Sequence, residues 1–83
     1  MQRVILSIGE FTEVVPSGTT QDQFVSIEGG TCRIYTGSAE PTDPLTGHAV
    51  SGGYQVIVPS GIQVWARLED GAEGAAVVSD FGQ

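Results

Sequence analysis

At 83 residues the chain has room for one domain with one modest core. Ten carboxylates stand against three arginines (Arg3, Arg33, Arg67) with no lysine, a net charge of -7 that repels phosphate backbones and anionic lipid and so excludes nucleic-acid and membrane-surface partners. One cysteine cannot form an internal disulfide, and no ligand cluster marks a structural metal or cofactor, so subunit contacts are the remaining supplement to a small core and a homo-oligomer is expected.

Taken in order, the chain reads as short β-branched runs separated by Gly, Pro, Ser and Thr, with no window of helical periodicity. Strands are predicted over residues 2–8, 10–15, 23–28, 31–36, 53–58, 62–68 and 75–81. The fold class is therefore all-β, a small antiparallel sandwich or barrel of about seven to eight short strands in a single domain. The apolar run at the N-terminus is too short for a signal peptide, and no segment reaches the length of a membrane span; a cytoplasmically made product is expected.

Alternation assigns the core. Val4, Leu6 and Ile8 share a face, as do Val25 and Ile27, Cys32 and Ile34, Tyr54, Val56 and Val58, and Ile62, Val64, Ala66 and Leu68. The tetrapeptide Val-Pro-Ser-Gly occurs twice, at residues 15–18 and 58–61, and predicts two hairpins closed by a left-handed glycine. Its flanks diverge within two residues, which favours shared turn chemistry over an internal duplication. Glu28-Gly29-Gly30-Thr31 and Asp70-Gly71 read as further hairpins. Residues 37–52, with two prolines and three glycines, form a long loop, the first place to seek partner contacts.

Catalytic groups are sparse. His48, the single histidine, lies in that loop; Cys32 alternates onto the core face; and the Glu69, Asp70 and Glu73 cluster lacks apolar surroundings to tune it. The reading is a protein that is not an enzyme and needs no cofactor. On the opposite strand face, Arg33, Tyr35, Trp65 and Arg67 form an aromatic–arginine strip of the composition enriched in interfaces. These four, with His48, are the predicted partner or subunit contacts.

Several segments carry a family likeness: Gly30-Thr31-Cys32-Arg33-Ile34-Tyr35-Thr36-Gly37, Pro41-Thr42, Gly47-His48-Ala49-Val50, Tyr54-Gln55-Val56-Ile57-Val58-Pro59-Ser60-Gly61, Val64-Trp65-Ala66 and Gly74-Ala75-Ala76-Val77-Val78-Ser79. Over about two thirds of its length the chain thereby resembles small structural proteins of tailed bacteriophages, capsid decoration (cement) proteins among them. Residues 1–20 lie outside the likeness. The resemblance implies a virion location, a β-sandwich or β-barrel fold, assembly as a homotrimer, and the major capsid protein or another virion protein as partner. A receptor- or glycan-binding module of a phage tail or fibre is the alternative.

Overall fold

The structure, a computed structural model, describes residues 2–43 and 46–80. Phe81, the last residue of the final predicted strand, and Pro44 and Leu45 of the predicted loop lie outside the described residues. The fold is all-β and antiparallel: one curled sheet forming a half-barrel. Its strands are β1 (Gln2–Ile5), β2 (Thr12–Val15), β3 (Gln23–Thr36), β4 (His48–Val50), β5 (Gln55–Val58) and β6 (Val64–Asp80).

The seven predicted strands become six because two pairs of neighbours are continuous and one strand, β4, forms within the predicted loop. Residues 23–28 and 31–36 both belong to β3, and residues 62–68 and 75–81 both contribute to β6. β3 and β6 pair along their whole length, from Gln23 opposite Asp80 to Thr36 opposite Val64. The Gly-Gly and Asp-Gly signals are therefore not hairpins. They face each other in mid-ladder, where β6 inserts extra residues: Gly29 is opposite Gly74, Thr31 opposite Asp70, and Cys32 opposite Leu68. Such bulges bend a strand and raise its twist.

The bulge also resolves a parity conflict in the sequence. Val25 and Ile27 point inward in the first half of β3, but Cys32 and Ile34 do so in the second. An odd-to-even switch is incompatible with one regular strand and is absorbed at Gly29 and Gly30. Only glycine fits there. Gly29 has φ +93°, and a Cβ on Gly30 would lie 2.1 Å from the Asp70 carbonyl oxygen. The two long strands thus bend together, and each half of the sheet contributes to a single core. Val25, Ile27, Val58, Ala76 and Val78 meet Val14, Val15, Cys32, Ile34, Val64, Ala66 and Leu68 there.

The short strands flank this central pair. β1 lies beside the second half of β6 and β2 beside its first half; β5 and β4 take the corresponding places along β3. Exchanging the first three strands with the last three leaves this pairing scheme unchanged. The two Val-Pro-Ser-Gly segments occupy equivalent corners in it, with Val15 opposite Val64 and Val58 opposite Gln23. Neither corner is a hairpin, because the strands on either side of each pair with a third strand and not with each other. In the second corner the Ile62 N–H donates to the Pro59 carbonyl, so proline precedes the turn's central pair, and Gly61 takes the left-handed position at φ +83°. The corners lie side by side: the Ser60 N–H donates to Asp22 Oδ1 at 2.9 Å, and the Gly61 N–H to Thr19 Oγ1 at 2.8 Å.

Three core assignments change. β1 stops at Ile5, the chain turns through Gly9, and Ile8 is exposed, while Phe11, outside the predicted core, is buried. Ile62 sits in the corner before β6 and Tyr54 just before β5, and both are exposed. The predicted loop ends as a strand, since Cys32, Arg33 and Ile34 offer their second edge to Val50, Ala49 and His48.

Candidate functional site

The aromatic–arginine strip is assembled by the central ladder, where Arg33 is the register partner of Arg67 and Tyr35 of Trp65. Most of its polar reach is spent inside the protein. Trp65 Nε1 donates to the Gly37 carbonyl at 3.1 Å, and the Tyr35 ring lies so close over Gly37 that a Cβ there would meet it at 2.5 Å. Arg33 donates to the Gly47 carbonyl at 3.2 Å and to Glu69 Oε1 at 3.1 Å. These contacts fasten both ends of the 37–47 segment to the outer sheet face.

Arg67 was expected at a partner surface, but only 6% of it is exposed. Its guanidinium carbon stands 5.7 Å from the centroid of the Phe11 ring, a cation–π arrangement, and Nη1 donates to the Leu68 carbonyl at 3.4 Å. The segment between β1 and β2 brings Phe11 over the strand face and closes Arg67 in. Of the five predicted contact residues, Arg67 serves the fold, Arg33 and Trp65 are half-buried and engaged with the loop, and Tyr35 is half-buried. His48 is exposed at the start of β4.

Tyr35 and His48 also border an apolar groove of about 180 Å³ at the mouth of the half-barrel. Ile34, Val58 and Val64, all buried core residues, reach its floor, and Tyr54, Ile57 and Ile62 stand around it at 38%, 46% and 41% exposure. On β5, Val58 faces the core and Val56 packs against it, which turns Ile57 outward along the sheet edge. Beyond β3, β5 has no strand partner among the described residues.

Alternation placed Tyr54 and Ile62 in the core and gave Ile57 no role, so these three contact candidates were missed. A different signal marks them. Residues 44–66 contain no Asp, Glu, Lys or Arg, in a chain that carries thirteen such residues elsewhere. All of β4 and β5 falls inside this run. The equivalent β1–β2 edge differs: its exposed Ile5 shares a cleft with Arg3, Glu28 and Glu73, and Arg3 is ion-paired to Glu28.

Chemistry elsewhere is limited. Cys32 is fully buried, its Sγ lies 3.7 Å from the Gly30 carbonyl oxygen, and burial pushes its thiol pKa up, which favours the unreactive neutral form. Among the described residues no three His, Cys, Asp or Glu side chains form a group able to hold a metal ion, and no helix is long and apolar enough to cross a membrane. The groove is smaller than the roughly 300–1,000 Å³ typical of small-molecule sites. Comparison with protein-family models, with curated proteins and with solved structures finds no match.

Proposed function

We propose that this protein is a non-catalytic structural component of a tailed-bacteriophage virion, a decoration protein that binds the assembled head and stabilises it. The single observation that carries a contact role is the apolar, charge-free β4–β5 edge on a domain of net charge -7. Exposed edges are ordinarily blunted by charge, and one left uncharged with three exposed apolar side chains is suited to being covered. The bacteriophage assignment comes from the sequence resemblance, which the all-β half-barrel fits.

Many copies binding assembled subunits and not free ones would stabilise the shell by linkage, each adding RT ln(1 + [L]/Kd). A contact made through an apolar edge leaves the acidic remainder in solvent. The glycan-binding alternative is the weaker reading, because Trp65, the one tryptophan, is half-buried and its indole N–H is committed to Gly37.

Mass spectrometry of purified virions with copy counting tests the reading. Hundreds of copies per particle, and recovery of the pure protein with capsids on sedimentation, are expected. A few copies would place it in the tail, and absence from virions would refute the proposal.

A further inference from the structure

We infer that the β4–β5 edge is covered by a second copy of this same chain. The inference rests on reading that edge as a contact surface, but not on the virion location.

Three observations select this occupant. The first is electrostatic. Two copies each carrying -7 repel across most faces, since carboxylates are spread over residues 10–43 and 69–80. β4 and β5 themselves carry no charged side chain, although Asp22 stands at the corner after β5, so like copies meet less repulsion along this edge than along β1, which carries Arg3. The second is fit. Ile57 projects from the edge beside an apolar groove floored by core residues, so each copy offers both a protruding side chain and a recess to receive one.

The third is size. A standard interface takes roughly 800 Å² and 20–30 residues from each partner, about a sixth of the 4650 Å² surface of this domain. The exposed apolar side chains Tyr54, Ile57 and Ile62 would form the centre of such a contact. Among the described residues the half-barrel also leaves the second edge of β5 without a strand partner, which full closure would have supplied. An antiparallel chain running alongside satisfies that edge, and a copy of β5 is such a chain. Two β5 strands paired in this way use up each other's free edge, so the assembly closes as a pair.

Analytical ultracentrifugation of the purified chain over a wide concentration range reads the result, with two matched variants. Ile57→Lys places a charge on the edge at an exposed position. Ile8→Lys does the same at an exposed isoleucine outside it. Wild type should sediment as a closed oligomer. Ile57→Lys should weaken association at least tenfold with an unchanged far-ultraviolet spectrum, and Ile8→Lys should match wild type. A monomeric wild type at every concentration overturns the inference, as does equal weakening by Ile8→Lys. A monomeric wild type that still sediments with capsids in an Ile57-dependent way gives the edge to a virion protein. That outcome refutes self-association and leaves the virion reading standing, whereas a stable oligomer absent from virions does the reverse.

Discussion

Replacing Gly30 by alanine tests the feature on which the half-barrel depends, the close crossing of β3 and β6. The added Cβ would lie 2.1 Å from the Asp70 carbonyl oxygen and 3.1 Å from its carbon, against 3.4–4 Å for ordinary contact. The strands would have to part by more than 1 Å, and both sides of the clash are ladder backbone that cannot rotate away. Overpacking in cores costs typically 1–3 kcal/mol where side chains can adjust. With no such relief the upper end, about 3 kcal/mol, is the expectation. Total stability at roughly 0.05–0.15 kcal/mol per residue is about 4–12 kcal/mol, so the loss is a quarter or more. Gly61→Ala is the control. Nothing lies within 4 Å of its Cβ, so only the left-handed φ of +83° counts, at roughly 1–2 kcal/mol. Both changes reduce unfolded-chain entropy alike, and that contribution cancels in the comparison. Urea unfolding followed by Trp65 fluorescence should give a lower midpoint for Gly30→Ala than for Gly61→Ala, at similar slopes. Equal midpoints, or the reverse order, would refute the crossing geometry.

Trp65→Phe keeps an aromatic ring but removes the donation to Gly37, with an expected loss of about 1 kcal/mol and faster amide exchange in residues 37–43. Arg67→Ala removes a buried cation from the Phe11 ring and should lower stability by about 2 kcal/mol in a thermal melt, whereas a surface arginine would move it by about 0.5 or less. Cys32 has a folded pKa above its ordinary 9.0, so it supports folding below that value and loses its contribution as pH rises from there through the folded pKa. Wild-type stability should therefore fall in mildly alkaline solution more steeply than that of Cys32→Ala, and thiol reagents should label Cys32 only after unfolding.

Local chemistry wrote the interior of the fold plainly into the sequence. Alternation identified Val25, Ile27, Cys32, Ile34, Val64, Ala66 and Leu68, all of them buried. What it could not supply was where strands stop and which strand pairs with which. Glycine pairs at Gly29-Gly30 and near Gly71 look alike whether the chain reverses or two long strands bend past each other, because the distinction lies in a partner some forty residues away. Val-Pro-Ser-Gly specified a left-handed glycine correctly and a hairpin wrongly for the same reason. Arg67 had outward parity, yet Phe11 arrives from a distant segment to cover it. β4 is three residues long and exists through its pairing to Cys32, Arg33 and Ile34, with too few positions to show a period. The proposed contact edge was legible in charge, not in hydropathy alternation, as a long stretch with no ionised side chain.

The pairing scheme is the same for the two halves of the chain, so backbone architecture gives both flanks of the sheet an equivalent opportunity to bind. Side chains break the equivalence. On the β1–β2 flank the exposed Ile5 sits among Arg3, Glu28 and Glu73, Glu10 pairs with Ser7 in the turn after β1, and Glu13 is hydrogen-bonded to Gln63. Charges so placed make edge-to-edge association unfavourable, because a partner strand would desolvate them. On the β4–β5 flank the corresponding positions carry no charge, and the isoleucine on the edge stands beside an apolar recess. If one flank is open to association and the other closed, assembly through the open flank alone ends in a closed oligomer, because a continuous filament needs both. Neutral edge and charged edge are then two parts of one device, and swapping their character is more informative than removing either. A chain carrying Ile57→Lys together with Arg3→Gln and Glu73→Gln should lose the closed oligomer without gaining an open one, since the β1–β2 flank keeps Glu10, Glu13 and Glu28. An oligomer re-formed by that variant, seen by analytical ultracentrifugation, would show that the β1–β2 flank binds once two of its charges are gone and that its shape is as competent to bind as that of β5.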